Sequence, residues 1–537
     1  MTTSDGWDGP RLGDLAELTG AHVAPVAPVT NLGALPGAPV SNVVIDSRTV
    51  APGDLFVALP GTRTDGARFV GDAYARGALA ALTTQVLDPT PEQRATRRAL
   101  VGDAAPFAAL VAPDPLAALQ QAAVGWRARH PSVQVVGVTG SVGKTTTREA
   151  VAATLAAAMP TLVSPRSYNN EIGLPLTLLG LRAAHRAAVL EMGMYAPGEI
   201  AALAAMARPR IGVVTMVAPV HLERLGSIEA IAAAKAELAR ALPPDGVAVL
   251  NGDDARVQAM AAATDARAVF YGLGEENDWR AVDIDDRGLD GLRFTLAHGN
   301  WRARVETTIV GRHVVYALLA AAAVAAALDV PRETIASALH NVRIGERQRI
   351  LHGRDGLLVI DDAWNASLPS MLAALDVLAA IPRRRVAVLG EMRELGAESA
   401  AAHRAVGRRA GAAAQALVAV GAEGALLAEE AVRAGMPDMN VRLVASTAEA
   451  PAALQALLRT GDAVLVKGSR ALRLEETVRW LVGDAPSPPT PLPDAGEGSL
   501  KALSSAPPRP LRERRAGPSI PRVGIGGPVS HGLGGEG

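Results

Sequence analysis

The segment Thr139-Gly140-Ser141-Val142-Gly143-Lys144-Thr145-Thr146 carries the chemistry most legible in this chain. It follows the apolar, β-branched run Val133–Val138 and opens into an Ala-rich helical pattern from Arg148 to Ala158. A strand, a Gly-rich turn and a helix start together form an anion site, because backbone N–H groups and the helix N-terminus point at the same phosphate oxygens. Lys144 is placed to reach the β- and γ-phosphates, and the Thr145 hydroxyl to hold Mg2+. Val138 stands where the longer phosphate-loop motif has its first Gly, so the form here is the shorter T-G-x-x-G-K-T. An ordinary βα turn would also carry the glycines, but Lys-Thr directly after the second Gly favours a nucleoside triphosphate.

Polar residues recur where other apolar runs end. Glu191 follows Val189-Leu190 directly, His221 comes shortly after Ile211–Val217, and Lys235 falls within the helical pattern Ile228–Leu238. Taken singly, each has a plainer role: a helix-capping Glu, a packing His, a solvated Lys. Their joint position downstream of one phosphate loop points to a cation-binding and phosphate-binding cluster, since strand ends converge there in a doubly wound sheet. Asn169-Asn170-Glu171-Ile172-Gly173 reads as a loop between helices, suited either to a turn or to ligand contact. Asp361-Asp362 is expected directly after the strand Leu357–Ile360, as a helix cap or as a ligand contact.

The elements that must position these residues follow from periodicity. Residues 1–131 read as a first α/β domain, with strands at Val43–Arg48 and Leu55–Leu59, a helix over Ala67–Gly77, and a loop over Leu87–Arg98. Residues 132–343 alternate apolar runs (133–138, 188–190, 211–217, 247–250) with helical periods, which predicts a doubly wound parallel sheet. Within them, Ala281–Thr308 alternates like an antiparallel excursion, and Val314–Leu328 reads as a buried helix too short to span a bilayer. Residues 344–484 give a Rossmann-like series of five strands near 357–360, 385–389, 416–420, 441–444 and 463–466. From Ala485 to Gly537 the Pro- and Gly-rich sequence has no periodicity and reads as a disordered tail, with a basic arm around Arg512–Arg515 as the less favoured reading. Truncation before Ala485 is expected to leave activity unchanged; a large loss would contradict a passive tail.

Composition narrows the function. With 53 Lys+Arg against 54 Asp+Glu, nothing global favours nucleic acid or an anionic membrane. With 0 Cys there is no disulfide, thiol nucleophile or thiolate metal site, so a metal must take O and N ligands. Met1–Pro10 carries acidic residues and no apolar signal region, so a cytoplasmic monomer without membrane insertion is expected.

These motifs, in this order, resemble the Mur ligase family of peptidoglycan enzymes. The matching segments are Asp46-Ser47-Arg48 with Pro52-Gly53-Asp54, Thr139–Thr145, Asn169–Thr177, Glu191-Met192-Gly193, His221-Leu222-Glu223, Ala234-Lys235-Ala236-Glu237, Gly390-Glu391-Met392 with Glu394-Leu395-Gly396, and Lys467-Gly468-Ser469-Arg470. The Asn-Asn loop, Asp361–Ser370 and Glu391–Gly396 place it in the branch acting on UDP-MurNAc-tripeptide and D-Ala-D-Ala. The resemblance implies three domains: one for the UDP end, a central ATPase, and a C-terminal Rossmann-like domain that closes over the cleft. It implies that the tripeptide carboxylate attacks the γ-phosphate of ATP, and that the amine of D-Ala-D-Ala then displaces phosphate from the acyl phosphate.

By the same resemblance, Lys144, Glu191, His221 and Lys235 are catalytic. Thr145 and Glu191 serve one Mg2+, His221 and a carbamylated Lys235 a second. Asp46, Ser47 and Arg48 meet the uridine nucleotide, Asn169 and Asn170 the substrate, and Arg347 with Asp361 the ATP. Three departures stand out. Val314 and Tyr316 replace two Asn associated with adenine contact, Tyr195 replaces a common Asn, and Asp362–Pro369 loses a Ser hydroxyl. None removes a phosphate, metal or carbamate position, so an active enzyme is expected, with ATP affinity the property open to change. Three alternatives are less favoured: a sister ligase adding the third amino acid, whose Asp-Tyr-Ala-His-Thr-Pro segment is absent; a folylpolyglutamate synthase, a family that lacks the Asp-Ser-Arg N-terminal domain; and an inactive nucleotide-binding scaffold.

Overall fold

The computed structural model describes residues 7–26, 35–61, 64–102, 105–165, 168–220, 222–345 and 348–483. The tail and its basic arm therefore lie outside the described residues, as do His221 and Arg347. Three sheets organise the rest.

The first sheet has five strands, ordered His22–Pro25, Ala108–Val111, Ala80–Thr83, Leu55–Val57, Val43–Val44, with only the His22 strand antiparallel. The expected strand Val43–Arg48 stops at Val44, because Asp46 turns the chain by accepting from Arg48 N at 3.0 Å and starts a 3-10 turn at Ser47–Thr49. The predicted helix Ala67–Gly77 divides into a 3-10 turn, Gly66–Phe69, and an α-helix, Val70–Ala75. Leu87–Arg98 is not all loop. Pro91–Val101 is a helix with a capping box between Thr90 and Gln93 and Pro at its start. Its Ala95, Ala99 and Leu100 are exposed and only Arg97 is buried, so it shows no apolar stripe; the Thr-Pro-Glu-Gln cap was the readable signal. Arg97 is held by the carbonyls of Tyr74 (2.8 Å), Ala78 (3.0 Å) and Pro106 (2.8 Å).

Helix Pro115–Ala128, capped by Asp114, joins this sheet to the next. Trp126 Nε1 donates to Leu181 O at 3.1 Å and Arg127 Nε to Ala207 O at 3.0 Å. One apolar core accordingly runs from Leu12 and Leu55 through Leu119 to Leu174 and Ile200.

The central sheet has nine strands. From Thr161–Val163 at one edge it continues through Ala187–Glu191, Gln134–Thr139, Ile211–Val214, Val247–Asn251 and Arg267–Gly272, all parallel. The expected antiparallel excursion is a meander, Trp279–Asp286, Leu292–His298 and Trp301–Thr307. The edge strand Thr161–Val163 and the interior strand Arg267–Gly272 escaped the sequence reading, since neither is a fully apolar run. Val315–Ala327 is the predicted buried helix, and its alanines allow close packing on helix Lys144–Ala156.

The third sheet is ordered Arg349–His352, Leu358–Asp362, Ala463–Lys467, Arg385–Gly390, Ala416–Val420, Val441–Val444. All five expected strands are present, and a first antiparallel strand, Arg349–His352, precedes them. Asp361 and Asp362 end a strand instead of following one. Lys467 Nζ meets Asp362 Oδ2 at 2.6 Å and Asn365 O at 2.9 Å, with both charged side chains buried. Removing one member leaves the other buried and unpaired. Lys467→Met is therefore expected to lower unfolding free energy by about 3–5 kcal/mol, read by urea titration; a change below about 1 kcal/mol would contradict the burial argument.

Candidate active site

Strand Gln134–Thr139 lies mid-sheet, and its neighbours on either side, Ala187–Glu191 and Ile211–Val214, arrive from opposite directions of winding. The loop after it therefore opens at a topological switch point, where doubly wound sheets bind ligands. Gly140 has φ 148°, and a Cβ there would lie 1.8 Å from Thr215 Oγ1; Gly143 has φ 88° immediately before the helix. Both positions require glycine. The loop is pinned to the segment after strand Ile211–Val214. Ser141 N donates to Met216 O (2.7 Å), Ser141 Oγ to Ala218 O (3.0 Å) and Thr215 Oγ1 to Val142 O (2.6 Å). Thr139 is buried and donates to Met192 O at 2.9 Å. Lys144 Nζ donates to Gly140 O at 2.8 Å, so its charge lies over the loop it is expected to serve. Thr146, half-buried, follows Thr145 in the first helical turn.

Glu191, the last residue of its strand and 2% exposed, is gripped by two donors. Thr145 Oγ1 donates to Oε2 at 3.0 Å, and Asn169 Nδ2 to Oε1 at 2.9 Å. Arg148 Nη1 stands 3.7 Å from Oε2. A hydroxyl and a carboxylate meeting at a phosphate loop are the hard oxygen donors Mg2+ prefers, alongside phosphate oxygens, so these residues fit that ion. Among the described residues no group of three or more His, Asp or Glu is arranged to hold a metal without such help.

Lys235 is 3% exposed on helix Ile228–Arg240, which Ser227 caps through Ala230 N at 3.1 Å. Burial first, and the charge of Lys144 second, hold its ammonium pKa well below the usual lysine range. A neutral amine there is a nucleophile toward CO2.

Asn169 and Asn170 follow strand Thr161–Val163, not a helix, and lead into helix Gly173–Leu179. Asn170 Oδ1 accepts from Gly173 N (2.9 Å) and Ile172 N (3.3 Å), which makes its oxygen a cap and leaves its amide N–H groups as the part able to meet a ligand. Asp46, Ser47 and Arg48 form a compact turn in which Arg48 Nε and Nη2 lie 2.8 and 2.6 Å from Asp46, holding that carboxyl below the usual range. Asp361 pairs with Arg349, whose Nε lies 3.1 Å from Oδ2, and accepts from Ala363 N at 3.2 Å. Val314 is 3% exposed in the core and so has no surface to offer a base, while Tyr316 donates to Asp253 Oδ2 at 2.9 Å. Sequence reasoning missed Arg148 and Thr215. Arg148 falls one helical turn after Lys144, a spacing that puts both on one face of the helix and could have flagged it.

Three family domains match in chain order: the Mur ligase catalytic domain over residues 39–106, the middle domain over 138–325, and the glutamate ligase domain over 346–470. The UDP-N-acetylmuramoyl-tripeptide--D-alanyl-D-alanine ligase of Mycobacterium tuberculosis is 38% identical over 503 residues, spanning 88% of this chain and 97% of its own length. The chain belongs to the Mur ligase family. The ligase of the same description from Synechocystis is 35% identical over 83% of this chain and 93% of its own. The crystal structure of MurF from Acinetobacter baumannii superposes with a TM-score of 0.74 at 29% identity, covering 88% of this chain and 99% of that one. In this Mur ligase the middle-domain match contains the phosphate loop, Glu191 and Lys235. The glutamate ligase match contains Asp361 and Lys467.

Proposed function

We propose that the chain is an ATP-dependent ligase joining D-Ala-D-Ala to UDP-MurNAc-tripeptide, giving UDP-MurNAc-pentapeptide for peptidoglycan synthesis. The observation that carries this reading is the contact of Thr145 with Glu191 beside Lys144, in a chain 38% identical to a ligase of that description. The tripeptide carboxylate attacks the γ-phosphorus of ATP, ADP leaves, and an acyl phosphate forms. The dipeptide amine then adds to the acyl carbon, loses a proton, and phosphate leaves with one former carboxylate oxygen. Both partners of the first step are anionic, so the site must supply positive charge where charge develops.

Lys144 moves from the loop carbonyls to the β- and γ-phosphates, and the loop N–H groups orient the triphosphate. Thr145 and Glu191 would hold one Mg2+, which screens phosphate charge when bound. Lys235 adds its neutral amine to CO2, forming an N–C bond and losing a proton, and the anionic group would hold a second Mg2+ with His221. Asn169 fixes Glu191, and the Asn170 amide faces the substrate. Asp46, Ser47 and Arg48 receive the uridine nucleotide, Arg347 and Asp361 approach the ATP from the third sheet, and closure keeps water from the acyl phosphate. We further propose domain limits near 131/132 and 343/344, and a cytoplasmic setting for a monomer, where ATP is available. Among the described residues no helix is long and apolar enough to cross a membrane.

The test is phosphate release from ATP and Mg2+ with UDP-MurNAc-tripeptide, with and without D-Ala-D-Ala. Release requiring both substrates, with pentapeptide formed, supports the ligase. ATP binding without turnover would favour the scaffold alternative.

A further inference from the structure

Arg148 is 2% exposed, among the largest fully buried side chains of the protein. It lies beneath the phosphate loop with carboxylates at both ends: Nη1 is 3.7 Å from Glu191 Oε2 and Nη2 is 3.4 Å from Glu149 Oε1. Both separations exceed a charge-assisted hydrogen bond, so the guanidinium acts on Glu191 chiefly as a nearby charge in a poorly screened place. The other grip on that oxygen, the Thr145 hydroxyl, is the group that must turn toward a cation. Arg148 remains as the charge beside that oxygen that keeps the carboxylate in place.

Glu149 faces the other way. Its Oε2 accepts from Gly345 N at 3.0 Å, across 196 residues of sequence. Gly345 belongs to the segment that leaves helix Arg332–Asn341 and leads to Arg349–His352, the first strand of the third sheet. Two adjacent residues of the phosphate-loop helix thus touch the carboxylate proposed to hold a cation and the chain leading out to the third sheet.

We propose that Arg148 is a positioning residue for Glu191, and that Glu149 ties the setting of that carboxylate to the segment leading into the third sheet. This rests on the ligase reading for its meaning in turnover, but its geometry and its test do not. A network of this kind couples its two ends reciprocally: what displaces Gly345 alters Glu191, and cation binding at Glu191 alters Gly345.

Full-length Arg148→Met, Arg148→Lys, Glu149→Gln and Glu149→Ala variants test it. Calorimetric binding of a non-hydrolysable ATP analogue is measured across a Mg2+ series, and amide hydrogen exchange is followed at Gly345. In Arg148→Met the Mg2+ concentration for half-maximal binding is expected to rise about tenfold or more, with Arg148→Lys recovering most of it. KM for D-Ala-D-Ala should stay within about twofold, a split that a general loss of packing would not give. Glu149→Ala is expected to speed exchange at Gly345 about tenfold. Glu149→Gln keeps an acceptor for Gly345 N but breaks the ion pair, and should shift the Mg2+ midpoint in the same direction. Should Arg148→Met fail to fold, Arg148→Lys and Glu149→Gln carry the test. Unchanged Mg2+ midpoints in the Arg148 and Glu149 variants, or unchanged Gly345 exchange in Glu149→Ala, would overturn the proposal. Absence of pentapeptide formation by the unaltered chain would instead refute the ligase reading, with the binding and exchange results still standing.

Discussion

Lys144→Ala is expected to lower kcat/KM for ATP by about 10³-fold while leaving thermal unfolding nearly unchanged. The rate effect follows from removing a preorganised cation at the point where phosphate charge develops, a loss of about 10²–10³ for single groups of this kind. The folding side follows from the structure. Lys144 is only half-buried, and its amine satisfies the Gly140 and Ser141 carbonyls at 2.8 and 3.4 Å on a loop open to solvent. The loop's own shape is fixed instead by Gly140, Gly143 and the contacts to Thr215, Met216 and Ala218. Steady-state kinetics beside calorimetry would check both halves. A variant that kept activity within tenfold would place the phosphate cation elsewhere.

The second large effect concerns Lys235. Lys235→Met is expected to reduce kcat about 10²-fold or more, because the chain loses the only group at that position able to become an anionic oxygen ligand. Added formate should restore part of the activity by supplying a carboxylate of the missing size. The same substitution is expected to raise stability in CO2-free buffer at neutral pH. The sign follows from linkage: the folded-state pKa of Lys235 is lowered, so the unfolded chain binds more protons. That burial cost is fully present below the folded pKa and disappears as pH rises toward the unfolded value of about 10.4. The stability gain of the Met variant should therefore shrink over that range, in urea titrations at successive pH values. A Met variant less stable than the parent at neutral pH would show that Lys235 is favourably solvated or partnered.

How much of this was legible in the residues depends on how local the signal was. The phosphate loop, the four central-sheet strands Gln134–Thr139, Ala187–Glu191, Ile211–Val214 and Val247–Asn251, the parallel strands of the third sheet, the buried helix Val315–Ala327 and the antiparallel meander announce themselves through apolar period and turn residues. Strands such as Thr161–Val163 and Arg349–His352 do not. They lie at sheet edges, carry half-exposed side chains, and owe their extension to a neighbouring strand. Helix Pro91–Val101 was hidden for a related reason, since it buries only Arg97 and shows its caps but no stripe.

Within the site, residue types were readable but grips were not. Nothing in the sequence says that Asn169 holds Glu191, or that Asn170 spends its oxygen on the next helix. Those are long-range and local outcomes of the same loop, decided by where strand Ala187–Glu191 ends. Tyr316 teaches a similar lesson, because its hydroxyl serves Asp253, a carboxylate that also accepts from Leu273 N, Gly274 N and Asn277.

The acyl phosphate is the central claim, and an isotope measures it directly. UDP-MurNAc-tripeptide labelled with ¹⁸O in its terminal carboxylate would be turned over with ATP, Mg2+ and D-Ala-D-Ala, and the released phosphate examined by mass spectrometry. One ¹⁸O per phosphate is expected, because the carboxylate oxygen that attacks phosphorus leaves with it. Pentapeptide formed with unlabelled phosphate would contradict the account.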